Sequence, residues 1–125
     1  MTHAVRAMAL FLFCLAVAGL AGSAAGQQPD LTGVWRCDDG GLYYIRQRGL
    51  EIFWFGEQSP TDPHWSNAAH GEFDNSGRIR LSWADVPKGR IMSGGVLILQ
   101  IESGDSLVAV SKTGGFGGST WTRVY

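Results

Sequence analysis

Reactive side chains in this 125-residue chain gather in a few short segments. Asp85-Val86-Pro87-Lys88-Gly89-Arg90 puts one acid and two bases in one loop, and Asp38, Asp39 and Glu57 fall at the same end of their strands. A carboxylate beside a second acid or a base is what general acid–base catalysis needs. Nothing in the spacing aims these groups at one reacting atom, so exposed loop charge is the expectation. Asp62, His64, His70 and Glu72 are residue types that bind metals, but the two histidines are six residues apart and no His-x-x-x-His occurs. Thr113-Gly114-Gly115-Phe116-Gly117-Gly118 is glycine-rich like a phosphate loop, yet Lys112 precedes the glycines and ends a strand instead of opening a helix. Ser66 and Ser93 lack a Gly-x-Ser-x-Gly context. No catalytic residue, metal site or cofactor is therefore expected, and the protein reads as non-enzymatic.

Aromatic residues offer more. Five Trp, three Tyr and six Phe can build a small core or line a pocket with a few polar groups. The expected contact set for a small, partly apolar or aromatic ligand is Tyr43, Trp54, Trp65, Trp83 and Phe116, with Asp85 and Lys88 as a polar rim. The alternative is a filled interaction or structural module, a homo-oligomer in which Trp65 and Phe116 meet the partner. An enzyme would instead need a carboxylate or His in a closed pocket with a shifted pKa.

Residues 1–26 are a different kind of sequence. Arg6 precedes a 14-residue apolar run over 7–20, and small residues Ala21-Gly22-Ser23-Ala24-Ala25-Gly26 follow. This pattern predicts a Sec-type signal peptide cleaved after Ala25 or Gly26. The run is shorter than the about 20 residues a membrane span needs. The expected product is secreted or periplasmic, with no membrane span after cleavage. It is one domain over 27–125, with nine Lys/Arg against eleven Asp/Glu. That balance argues against a nucleic-acid partner. Cys37 is its one cysteine, so no internal disulfide is possible. Cys37 shares strand parity with Trp35, which favours a buried thiol over a reactive or intermolecularly paired one.

The elements that must position these residues repeat with a period near two. Strands are expected over 31–37, 42–47, 50–57, 68–73, 78–85, 95–102, 106–112 and 119–125. The third, with Ile52-Phe53-Trp54-Phe55, reads as covered on both faces. Pro60 and Pro63 keep 58–67 out of the ladder. Eight short strands with local connections form a meander, whose two edges disappear if the first strand pairs with the last. The expected fold is all-β: a closed up-and-down antiparallel β-barrel of about eight strands. Its even-numbered connections are short turns: Arg48-Gly49, Asn75-Ser76-Gly77 and Ser103-Gly104-Asp105. Its odd-numbered ones include the long segments 58–67, 86–94 and 113–118, so one end is plain and the other elaborated. Function tends to sit in loops that a rigid scaffold displays.

Thr32-Gly33-Val34-Trp35 at the start and Trp121-Thr122-Arg123 at the end resemble the calycin superfamily of lipocalins, fatty-acid-binding proteins and avidin-like barrels. That resemblance implies structural roles for Gly33, Trp35 and Arg123, with the Arg123 guanidinium lying across the Trp35 indole at the closed end. The middle of the chain (Trp54-Phe55-Gly56, Trp83-Ala84-Asp85 and the 113–118 loop) resembles a group of small secreted bacterial domains that implies no activity. The chain lacks the disulfides, the C-terminal helix and the length of secreted lipocalins, and is nearer avidin in size.

Overall fold

The structure is a computed structural model that describes residues 29–125. The expected signal peptide, with Arg6 and Cys14, lies outside the described residues. Eight strands follow one another: β1 Gly33–Cys37, β2 Leu42–Arg48, β3 Glu51–Glu57, β4 Ser66–Phe73, β5 Ile79–Asp85, β6 Gly94–Ser103, β7 Ser106–Lys112 and β8 Thr120–Arg123. Each pairs antiparallel with its neighbour in sequence. The last pairs with the first, Trp35 opposite Arg123 and Cys37 opposite Trp121, and closes the barrel.

Alternation decides which residues face inward. Trp35 and Cys37, Tyr43 and Ile45, Ile52 and Trp54, Ile79, Leu81 and Trp83, Leu97 and Leu99, Leu107 and Trp121 are all buried. The intervening positions, among them Arg36, Arg46, Glu72, Arg78 and Arg80, face solvent. An apolar interior and a charged exterior are the inverse of a membrane-spanning barrel with a polar lumen. An eight-stranded barrel is just wide enough for side chains to fill, and here four indoles, a phenol and the aliphatic residues fill it.

Three strand ends differ from expectation by two residues, and six others by one. β1 starts at Gly33, because Leu31 leaves the sheet to plug the interior: its carbonyl accepts from Trp35 Nε1 at 3.0 Å and its N–H donates to Gln47 Oε1 at 3.0 Å. β8 ends at Arg123 instead of Tyr125. β4 starts at Ser66, because both of its first polar side chains find partners inside the fold. On β3 the covering of the outer face is partial. Phe53 stacks on His70 and Phe55 on Tyr44, each half-buried.

Arg123 seals the plain end. Its guanidinium lies 4.6 Å from the Trp35 ring centroid and donates to the carbonyls of Asp30 (2.7 Å), Thr32 (2.9 Å) and Gly104 (3.0 and 3.1 Å), with Asp105 Oδ1 at 3.1 Å. Gly33 is needed beneath it. A Cβ there would stand 2.5 Å from the Tyr125 carbonyl oxygen and 2.7 Å from the Arg123 guanidinium. Cys37 is buried and unpaired, and burial pushes its thiol far above the ordinary range, which makes it inert.

Arg123→Ala removes the stack and strands several carbonyls, so urea unfolding should show a loss of about 2–4 kcal/mol. Arg123→Lys should recover less than half of it, because an ammonium cannot present the planar fork.

Four carboxyls are held below their ordinary range, each chiefly by one hydrogen bond: Asp30 by the Thr32 N–H, Asp38 by the Ser119 N–H, Glu51 by His70 and Asp74 by the Ser76 hydroxyl. Their contribution is complete above the unfolded carboxyl values and is lost as pH falls through the depressed ones. The urea midpoint should therefore drop between about pH 5 and pH 2. Asp38→Asn should flatten that drop; a midpoint indifferent to pH would contradict the assignment.

Candidate functional site

The loop-bearing end is stitched together by polar side chains. Asp38 Oδ1 accepts from the N–H of Ser119 (2.8 Å) and Thr120 (3.2 Å), tying the turn after β1 to the start of β8. Ser66 Oγ donates to the Val86 carbonyl and accepts from the Gly89 N–H, both at 2.8 Å. The Arg90 N–H donates to the His64 carbonyl at 2.8 Å, so the 58–65 and 86–93 loops lie against each other. Asp85 and Ser93 pinch the neck of the second loop. The Asp85 N–H donates to the Ser93 carbonyl, and the Ser93 N–H to Asp85 Oδ2. Trp83 Nε1 donates to the Thr113 carbonyl at 3.2 Å and holds the 113–119 loop. Gly114 and Gly115, both at φ near +80°, turn that loop so that Phe116 points back over the barrel.

These loops enclose a cavity of about 200 Å³ lined by Tyr43, Trp65, Trp83 and Phe116 with Asp39, Asn67, Asp85 and Ser93. Phe116 is only 7% exposed and forms its floor, 4.9 Å from Trp83 in an edge-to-face contact and 6.0 Å from Trp121. Trp65 leans over Gly41, where a Cβ would collide with the indole. The polar groups pair off. Trp54 Nε1 donates to Asn67 Oδ1 at 2.8 Å, and the Tyr43 hydroxyl donates to Asp39 Oδ2 at 2.6 Å. Burial, and then the Asp39 charge, push the Tyr43 hydroxyl far above its ordinary range, so it remains a donor. Gly41 N–H donates to Asp39 Oδ1 at 2.9 Å and fixes the carboxylate from its other side.

Of the residues expected to form the site, Tyr43, Trp65, Trp83, Asp85 and Phe116 are brought together. Trp54 is not: it is buried in the core behind the lining, 5.1 Å from Tyr43 and 6.3 Å from Phe116, with its indole N–H on Asn67 Oδ1. Lys88 is not either. It turns to the outside of the barrel and pairs with Glu57, which also accepts from the Tyr44 hydroxyl at 2.9 Å. Glu57 is 5% exposed although it points outward, so this carboxylate draws the lysine away from the mouth. Lys88 takes φ +153° to reach it, a backbone conformation that costs a side-chain-bearing residue energy. Asn67, Asp39 and Ser93 complete the cavity beyond the expected set. Asn67 was within reach of alternation alone, two positions before inward-facing Ala69.

His64 and His70 do not converge. His70 sits on the outer face with Nε2 3.0 Å from Glu51 Oε2, and His64 is in the exposed loop. Two larger hollows, about 620 Å³ beside Tyr44, Phe53 and His70 and about 440 Å³ beside Arg80 and Ser82, are open saddles between side chains of the outer sheet face. Their volume is mostly open to solvent, whereas the mouth cavity has walls from three loops. Trp121 Nε1 is a buried donor without a partner among the described residues. Family models, curated proteins and solved structures show no match to this chain.

Lys88→Ala leaves the Glu57 carboxylate enclosed with only Tyr44. Because the lysine is partly solvated, chemical denaturation should show a loss of about 1–2 kcal/mol. Lys88→Gly removes the same charge but relieves the backbone, and should cost about 0.5–1 kcal/mol less than the alanine variant. Equal losses would remove the strain from the account.

Proposed function

We propose that this protein is an exported, non-enzymatic barrel that binds a small, partly apolar group at its loop-bearing end. The observation that carries the reading is the cavity between Trp65, Trp83 and Phe116, apolar in its walls and polar at a few fixed points. Small-molecule sites share that make-up. The filled interior limits the ligand. About 200 Å³ is below the ~300–1,000 Å³ typical of drug-sized ligands, so the mouth suits a compact head group rather than a molecule swallowed whole. The Trp35–Arg123 stack over Gly33 supports reading the fold as calycin-like, with lipocalin- and avidin-type barrels as the comparison. The residue 1–26 pattern supports export to the periplasm or beyond.

A second reading, an oligomeric interaction module, draws on Ile91 and Met92. Both are exposed at the loop tip, Ile91 in the cavity wall and Met92 next to it in the chain, over a barrel whose lumen is already occupied. Phe116 cannot serve that role as it stands, since it is buried, whereas half-buried Trp65 can.

Titration of indole fluorescence against a panel of small apolar, aromatic and charged compounds separates the two. A saturable change that weakens about tenfold in Trp65→Ala supports ligand binding, as loss of one aromatic anchor would. A silent panel together with a stable dimer or tetramer on sizing supports the module.

A further inference from the structure

The polar lining of the mouth has one sign. Asp39 and Asp85 are its two ionisable acids, and no Lys, Arg or His lines it. The nearby cations are turned elsewhere. Lys88 pairs with Glu57, Lys112 Nζ donates to the Gly118 carbonyl and Ser119 Oγ, and Arg90 lies 3.5 Å from Asp62. Both carboxylates are oriented before any ligand arrives. Tyr43 and Gly41 hold Asp39, and the Ser93 N–H holds Asp85. Around them stand four aromatic rings, whose faces carry negative potential. Asn67, 2% exposed, lines the same cavity, with its side-chain oxygen accepting from Trp54 Nε1.

We propose that the mouth cavity takes an organic cation, a quaternary or protonated ammonium head, seated among Tyr43, Trp65, Trp83 and Phe116 with Asp39 and Asp85 as its counter-charges. This rests on the reading of the mouth as a small-ligand site and names the class of ligand. A trimethylammonium group is apolar at its surface and charged at its centre, which is what an aromatic wall with carboxylates at its edge recognises. An inorganic divalent cation fits less well. Such ions take six to eight oxygen ligands, and no three His, Cys, Asp or Glu side chains converge anywhere among the described residues. An anion or a neutral apolar molecule would leave both carboxylates unanswered.

Choline and its neutral carbon isostere, 3,3-dimethylbutan-1-ol, have nearly the same shape and differ in charge. Calorimetric titration of the purified protein with each is the test. Choline should bind about tenfold or more tightly than the isostere, the range a partly desolvated cation–π site supports. Asp85→Asn keeps an acceptor for the Ser93 N–H. It should remove most of that preference, whereas Trp65→Ala should weaken both compounds without removing it. Equal or tighter binding of the isostere overturns the cation assignment and leaves the small-ligand reading standing. Failure of both compounds to bind overturns the cation assignment, and the small-ligand reading is then decided by the fluorescence panel. A choline preference that survives in Asp85→Asn and Asp39→Asn, or binding of calcium in place of choline, overturns the assignment as well. Phosphatidylcholine vesicles, compared with phosphatidylglycerol vesicles, separate two sources of the same head group. Capture by the former in addition to free choline assigns a lipid, and binding of free choline alone assigns a soluble ligand.

Discussion

The Arg123 guanidinium over the Trp35 indole is the contact on which the barrel's closure rests. β1 and β8 share only three directly opposed residue pairs, Trp35 with Arg123, Arg36 with Thr122 and Cys37 with Trp121. Backbone hydrogen bonds continue the seam beyond them, from the Val34 N–H to the Tyr125 carbonyl (2.8 Å) and from the Val124 N–H to the Val34 carbonyl (2.7 Å). Arg123 adds a stack and a fan of hydrogen bonds to carbonyls from the N-terminal segment and from the β6–β7 turn. One side chain thus joins the first strand, the last strand and a distant hairpin. Gly33 is the complementary requirement, since any side chain there would occupy the space Arg123 and the C-terminal carbonyl use.

Sealing one end has a consequence for the other. With Leu31 and Trp35 closing the base and Trp54, Trp121 and the aliphatic residues filling the middle, the described residues leave no deep lumen. The space that remains lies at the rim, in a cavity made by loops. Loops make precise sites only if they are held, and here they are. Asp38, Ser66, Asp85 and Trp83 each bond a backbone group of a neighbouring segment. The result is a shallow but pre-organised pocket, in which binding does not first have to order its own walls.

Much of the fold was legible because a barrel strand writes its two faces into alternate residues. Ile79, Leu81 and Trp83 against Arg78, Arg80 and Ser82 is that pattern at its clearest, and β5 follows it. The strand ends were less legible. Ser66 and Asn67 read as loop because they are polar, yet both are buried in β4, satisfied by Val86, Gly89 and Trp54. Those partners come from other loops or strands, and no local window contains them. The same limit applied to the site. Sorting connections by end put Tyr43, Trp65, Trp83, Asp85 and Phe116 near one another. It could not tell that Trp54 would pack in the core behind Tyr43 and Phe116, or that Lys88 would be drawn outward by Glu57.

By itself the sequence determined the strand parity, the lone buried cysteine, the two bracketing motifs and the inequality of the two ends. All of these depend on residue type and short spacing, which a chain carries before it folds. Only the tertiary structure decided that the interior is full and that the mouth is small. It alone joined Asp39 to Asp85 around four rings, and turned the nearby cations away from them. Those outcomes depend on which side chain reaches a partner first across the barrel, and such competition is resolved by distance in the folded molecule, not by order along the chain.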